Sequence, residues 1–278
     1  MIDKITIASN CYEMDYKVVL SKKYLSMLLH SNNPIFETRI MTLNDINNID
    51  EARYILQTRK TDCNLTNYYV VAEECDDVMN YYDGCSRESF IQKYPLIKCI
   101  KYSIKNRKKF RREFDGYNFS LPVMTAIKNC KTRWFLWCDE DALFEDHDAQ
   151  EWINKSIELM KNRPDVLVAN PIWNNEYESA KNQAISEDEF FLYSNGFSIQ
   201  CFLIDLEKIA NNQRIYSEKN PQSEITYPVY GGNCFEKRIN AYMLNHHFTR
   251  ATYKLCSYHH ESFTEKRINE LLDRDENK

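Results

Sequence analysis

The sequence predicts an α/β fold, a single domain with a mostly parallel central sheet flanked by helices. Three observations predict it. The first quarter of the chain reads strand, helix, strand, helix, strand, the order that right-handed crossovers turn into a parallel sheet. Residues 134–138, Trp-Phe-Leu-Trp-Cys, form an uninterrupted apolar run of strand length, as a buried strand requires. Polar or acidic residues follow directly on three of the strands, and open parallel sheets bind their ligands at the carboxyl ends of strands.

Taken in order, Lys4 to Ala8 is a short strand with a polar exit, Ser9-Asn10-Cys11. Helical periodicity over Asp15 to Leu29 sets Val18, Val19, Leu25 and Leu28 on one face. Phe36 to Leu43 is a second strand, Asn44 to Gln57 a second helix, and Asn67 to Ala72 a third strand that exits into Glu73, Glu74, Asp76 and Asp77. A helix over Leu121 to Cys130 precedes the central strand. Beyond it, Ala149 to Asn162 is an amphipathic helix ended by Pro164, and Val166 to Ala169 a buried strand. Residues 173–189 and 211–223 are polar surface excursions, and Phe190 to Leu206 holds Gly196 between short apolar segments. Pro228 to Gly232 is a tight passage before a helix that starts at Phe235, and a last strand, Ala251 to Tyr258, delivers His259-His260.

Composition narrows the function. A net charge of −5 argues against a nucleic-acid partner. Ten cysteines without a C-x-x-C pair, a start that reads as a strand, and no apolar run of spanning length predict a cytoplasmic protein with reduced thiols. The five glycines, at 84, 116, 196, 231 and 232, allow neither G-x-G-x-x-G nor a P-loop, so a bound nucleotide must be held by metal and side chains. One strongly basic run, Lys98 to Arg112, reads as a solvated face, a phosphate clamp or a peripheral contact with acidic lipid headgroups.

The chemistry concentrates after the central strand, at Asp139, Glu140 and Asp141. Alternation sends Asp139 and Asp141 to one side and Glu140 to the other. Adjacent carboxylates beside an apolar strand repel one another, and Mg²⁺ or Mn²⁺ relieves that repulsion while leaving positions for substrate phosphates. Glu236 stands at a helix start, where it is either a first-turn acid or a site acid, and one of His259 and His260 can face the crevice.

An apolar strand ending in D-E-D, the segment G-G-N-C-F-E and the terminal Y-H-H-E-S, in this order, resemble the GT-A-fold glycosyltransferases, with a Rossmann-like sheet. The resemblance implies Asp139 and Asp141 on a metal, His259 completing its shell, and Glu236 as the base of an inverting transfer. It further implies Ala8, Ser9, Asn10, Glu140 and one of Glu73, Asp76 or Asp77 along the donor. The donor would be a nucleotide sugar, UDP sugars first among them, and the acceptor a hydroxyl of a glycan or glycoconjugate. Residues 1–262 would form the domain, with 1–141 holding the donor and 142–262 the acceptor, followed by a charged tail, 263–278. Two departures stand out: E-E-C-D-D replaces the usual D-D-G-S, and C-F-E supplies a single acid. The alternatives are a Mg-dependent phosphohydrolase or nucleotidyltransferase, which also uses strand-end carboxylates, and a carbohydrate- or partner-binding domain without turnover.

Overall fold

All seven residues of β1 (Ile5–Cys11) are buried, because the strand has a parallel neighbour on each side. One neighbour is β2 (Phe36–Leu43), which pairs in turn with β3 (Asn67–Val70); the other is β6 (Trp134–Cys138). In the computed structural model, which describes residues 3–82, 85–93, 96–97, 100, 103–104, 113–144, 146–209, 215–226 and 235–260, these strands begin a sheet ordered β3-β2-β1-β6-β11-β8-β12-β10-β9. Its second half comprises β8 (Val166–Trp173), β9 (Ser186–Glu187), β10 (Phe191–Ser194), β11 (Cys201–Asp205) and β12 (Thr249–His260). Within that order only β10 and β11 run against the rest. A two-residue strand, β7 (Ala142–Leu143), pairs with the end of β12, and β4 (Ile91–Lys93) with β5 (Glu113–Asp115) makes a separate ribbon.

Alternation along β6 sorts its side chains into two cores. Trp134, Leu136 and Cys138 pack with α1 (Tyr16–Val19), α2 (Lys22–Leu28), α3 (Ile49–Asp62) and α6 (Asp146–Asn162). Phe135 and Trp137 pack on the other face with α4 (Val71–Tyr81), α5 (Tyr117–Lys128) and α9 (Phe235–Asn245). The result is the three-layer α/β domain that the sequence predicts. Each large apolar side chain so buried contributes about 1.5–3 kcal/mol relative to exposure, which fixes β6 and the acids that follow it.

The sheet has a topological switch. From β1 the chain moves outward through β2 and β3, then returns to β6 on the opposite side. A crevice therefore opens between the carboxyl ends of β1 and β6, where the flanking connections part in opposite directions.

Several boundaries differ from the sequence expectation. Ser9, Asn10 and Cys11 belong to β1 itself, since the β2 register extends past Ala8 to Cys11 while that of β6 stops at Ala8. The helix expected over residues 15–29 breaks at Leu20-Ser21. β3 stops at Val70 and α4 starts at once, because Val71 and Val78 share a buried helical face. Residues 173–189 are more than a loop: they contain α7 (Tyr177–Gln183) and the edge strand β9. Of the 211–223 excursion, the described part ends in α8 (Pro221–Thr226). The passage Pro228 to Gly232, the charged tail 263–278 and the cations of the basic run lie outside the described residues. Among the described residues no helix is long and apolar enough to cross a membrane, and the eight cysteines are free.

Candidate active site

Asp139 is the first residue past β6 and sits in a tight turn. Its backbone N donates to Gln200 O at 2.8 Å, Trp137 Nε1 donates to its Oδ1 at 2.8 Å, and Ala142 N donates to its carbonyl at 2.9 Å. That turn folds the triplet back so that β7 pairs with β12, Leu143 opposite His259 and Ala142 opposite His260. In this register His260 Nε2 comes to 3.2 Å from Asp141 Oδ1. His259, its neighbour on an extended strand, points the other way and is exposed. The structure thus brings His260 to the acids, not His259. Asn174, with φ 46°, clamps His260 in place: His260 N donates to Asn174 Oδ1 at 2.8 Å, and Asn174 Nδ2 donates to His260 O at 3.2 Å.

Burial pushes all three carboxyls of the triplet above their usual range. For Asp139 the next causes are repulsion by Asp141 and by Glu236, opposed by the Trp137 bond. For Glu140 they are Asp139 and Asp15, and for Asp141 the His260 imidazole acts in the opposite sense. Asp15 adds a fourth acid. Its Oδ1 accepts from Tyr12 N at 2.8 Å, and burial raises its carboxyl to about 7, with Asp141 adding to the rise. Tyr24 Oη donates to Glu140 O at 2.8 Å and steadies the turn from the α2 side.

Glu236 opens α9. Phe235 N donates to Ser120 Oγ at 2.9 Å, tying the helix start to α5, and Ile199 N donates to Glu236 Oε1 at 3.2 Å. Burial lifts this carboxyl to about 7, against the Ile199 bond and the Arg250 guanidinium. Glu236, 97 positions further along the chain, is the smallest of the causes that raise Asp139.

Ala8, Ser9 and Asn10 line the β1 side of the switch. Ser9 is fully buried and Asn10 is 2% exposed, and neither Ser9 Oγ nor Asn10 Oδ1 has a hydrogen-bond partner. Buried polar atoms without partners are unfavourable unless a ligand or water completes them. Beyond β1, Tyr12 Oη and Asn44 Nδ2 both donate to Asn118 O, at 3.0 and 2.9 Å, so the ends of β1, β2 and α5 are joined at the crevice.

The acids after β3 are placed elsewhere. Glu73 pairs with Arg53, and Glu74 and Asp77 stand 3.5 and 3.6 Å from Lys128. Lys128 ends α5, a helix whose opposite end meets the crevice, about 15 Å away by helical rise. Asp76 is exposed. Glu73, Asp76 and Asp77, expected along the nucleoside, thus ride on a helix and not on a strand exit, with Glu73 and Asp77 in surface ion pairs.

Sequence reasoning missed Asp15, Asn174 and Gln200. Asp15 carried a signal, an acid four residues past Cys11 among apolar neighbours. Asn174-Asn175 carried a weaker one, since Asn tolerates the left-handed conformation that both adopt.

The donor chemistry suits a hard divalent cation: carboxylates at Asp139 and Asp141 with an imidazole nitrogen at His260. Among the described residues no three His, Cys, Asp or Glu side chains converge closely enough to hold a metal ion by themselves. That is compatible with magnesium or manganese, which take one or two carboxylates and leave other positions to water and substrate phosphates.

No family model and no curated protein matches the chain. Among solved structures it is similar to GT-A-type glycosyltransferases and a related nucleotidyltransferase. One is a mannosyltransferase from Pyrobaculum calidifontis in complex with GDP-Man and Mn²⁺ (10% identity, TM-score 0.49, 92% of this chain and 56% of that one). A second is mouse xyloside xylosyltransferase 1 in its apo form (13%, 0.45, 91% and 85%). A third is CMP:2-keto-3-deoxy-manno-octonic acid synthetase complexed with CTP (6%, 0.47, 92% and 90%). The chain thus spans little more than half the length of the mannosyltransferase. Likenesses at these identities and TM-scores leave the chemistry to be argued from the site itself.

Proposed function

We propose that the protein is a metal-dependent glycosyltransferase that moves a sugar from a nucleoside-diphosphate donor, a UDP sugar first among candidates, to a hydroxyl of a glycan or glycoconjugate. The observation that carries this reading is the cluster at the end of β6: His260 Nε2 lies 3.2 Å from Asp141 Oδ1, and the adjacent residues Ile199 and Gln200 hold Glu236 and Asp139 by their backbone. Donor and acceptor would meet there, the donor toward residues 1–141 and the acceptor toward 142–262.

In this reading Asp139 and Asp141, with His260, hold Mn²⁺ or Mg²⁺. A divalent cation so held supplies Lewis-acid stabilisation of the departing diphosphate. Ser9 Oγ and Asn10 Oδ1 offer their unused hydrogen-bonding capacity to the donor from the β1 side. Glu236 receives the proton of the acceptor hydroxyl as the new glycosidic bond forms. Its carboxyl at about 7 suits that task, since a base is most effective when its pKa lies near the working pH. The Ile199 N–H fixes Oε1, leaving Oε2 as the atom that takes the proton. Inversion follows from a base that faces the donor from the side opposite the diphosphate.

A thermal-shift panel of nucleoside diphosphates and nucleotide sugars, each with and without Mn²⁺, tests the reading. A true donor at about 100 times its Kd adds about 2.7 kcal/mol of stability. Stabilisation by one nucleotide that requires Mn²⁺ is expected; a flat panel rejects the reading. The same assay separates the histidines. His260→Ala raises the Mn²⁺ concentration needed by about tenfold or more, the range found when groups that tune a metal site are removed, whereas His259→Ala leaves it unchanged. Equal effects would withdraw His260 from the site.

A further inference from the structure

Cys138 closes β6 and Cys201 opens β11, and the two strands pair antiparallel with these residues as register partners. Asp139 N donates to Gln200 O at 2.8 Å, one residue past Cys138 and one before Cys201. A ladder bond in that position makes Cys138 and Cys201 a pair of the non-hydrogen-bonded kind, whose Cα atoms approach most closely, to about 4.5 Å. Register partners project to the same face, and both side chains enter the core shared with α1, α2, α3 and α6. Their sulfurs lie 3.7 Å apart. A disulfide needs Cα atoms about 4.4–6.8 Å apart and sulfurs at about 2.05 Å, so closure asks for about 1.7 Å of side-chain movement and no change of register.

Cys256 is the competing partner, and the topology disfavours it. It sits on β12, and β8 lies between β12 and β11. Two strand spacings amount to about 10 Å, beyond the about 7 Å between Cα atoms that a disulfide can bridge.

We infer that Cys138 and Cys201 are a modification site: they close into a reversible cross-strand disulfide that locks together the strand ends carrying Asp139. The oxidant is a small disulfide of the glutathione class. One cysteine sulfur attacks it, its S–S bond breaks, and one glutathione leaves as thiol; the other cysteine sulfur then displaces the second. The protein gives up two electrons and two protons, and the oxidant becomes two thiols. Cys138 and Cys201 are 1 and 0% exposed, so exchange takes place when the ends of β6 and β11 part locally. A reducing compartment keeps the pair open, and an oxidising one closes it. The lock reaches the candidate site through one residue on each strand. Asp139 follows Cys138, and Gln200 precedes Cys201, next to the Ile199 N–H that holds Glu236. The bond does not depend on the glycosyltransferase reading.

Incubation of the folded full chain with oxidised glutathione, in urea below the unfolding transition, tests the inference. Free thiols are then alkylated, the chain is digested without reduction, and the peptides are mapped by mass spectrometry. A linked pair of peptides holding Cys138 and Cys201 is expected as the main product, and dithiothreitol returns both thiols. The bond closes a loop of 63 residues, so the oxidised protein should melt about 5 °C or more above the reduced one. Cys138→Ala and Cys201→Ala should each melt at the same temperature before and after oxidation, a comparison that cancels whatever the substitution itself costs. Glutathione adducts without that linkage, a Cys201–Cys256 bridge in its place, or a linked pair that melts no higher than the reduced protein overturns the inference.

Discussion

Asp141→Asn is expected to abolish Mn²⁺-dependent stabilisation by nucleoside diphosphate and to lower turnover by about 10³-fold or more, while leaving the fold unchanged. The size follows from the several kcal/mol that a metal contributes to the charge of a departing phosphate, at about 1.4 kcal/mol per tenfold in rate. The fold survives because Asp141 takes no part in either core: it is partly exposed, in a turn after β6, with His260 Nε2 3.2 Å from its Oδ1. Its ionised form is disfavoured by burial, so without metal the amide is no less stable than the acid. The decisive measurement is a pair of thermal melts, apo and with nucleotide plus Mn²⁺. An apo melt like that of the unsubstituted protein with no shift on addition supports the assignment; a normal shift and normal turnover reject it.

How much of this was legible in the sequence depends on the distance over which each feature is decided. β6 and its acids were legible because five apolar residues followed by three carboxylates constitute a local contrast that no tertiary contact needs to supply. Ser9 and Asn10 were legible as polar residues following Ala8 but not as strand residues, since their place inside β1 depends on pairing with β2. The choice between His259 and His260 was not legible. It turns on the register of β12 against β7, and a shift of one residue on a strand exchanges which side chain faces the acids. The element that carries Glu73 was not legible for the same class of reason: an apolar run followed by acids fits a strand exit and a helix start equally well, and the buried pair Val71 and Val78 decides for the helix. The link between Glu236 and Asp139 passes through residues 199 and 200, which hold one acid by Ile199 N and the other by Gln200 O. Nothing in the local sequence of either acid announces that bridge.

Glu236→Gln is expected to keep donor binding and lose transfer, by about 10²–10⁴-fold, the usual range for a positioned general base. The amide retains the shape of the carboxylate and can still accept from Ile199 N, so the α9 start stays in place. Stability supplies an independent readout with a definite sign. Burial raises the folded-state carboxyl from 4.5 to about 7. Between those values the folded protein holds a proton that the unfolded chain has released, so stability falls as pH rises through the window. Above about pH 7 the ionised, buried acid costs up to about 3 kcal/mol, and the amide does not ionise. The variant should therefore melt higher than the unsubstituted protein at pH 8 and match it below about pH 4.5. The unsubstituted enzyme should also lose kcat/KM below about pH 7 as Glu236 takes up its proton. A variant that gains stability at pH 8 yet transfers sugar at the normal rate would leave Glu236 a buried acid and remove it from the reaction. A variant that loses transfer without the pH-dependent gain would mean that the carboxylate is solvated in the working enzyme, and that its role as base rests on position alone.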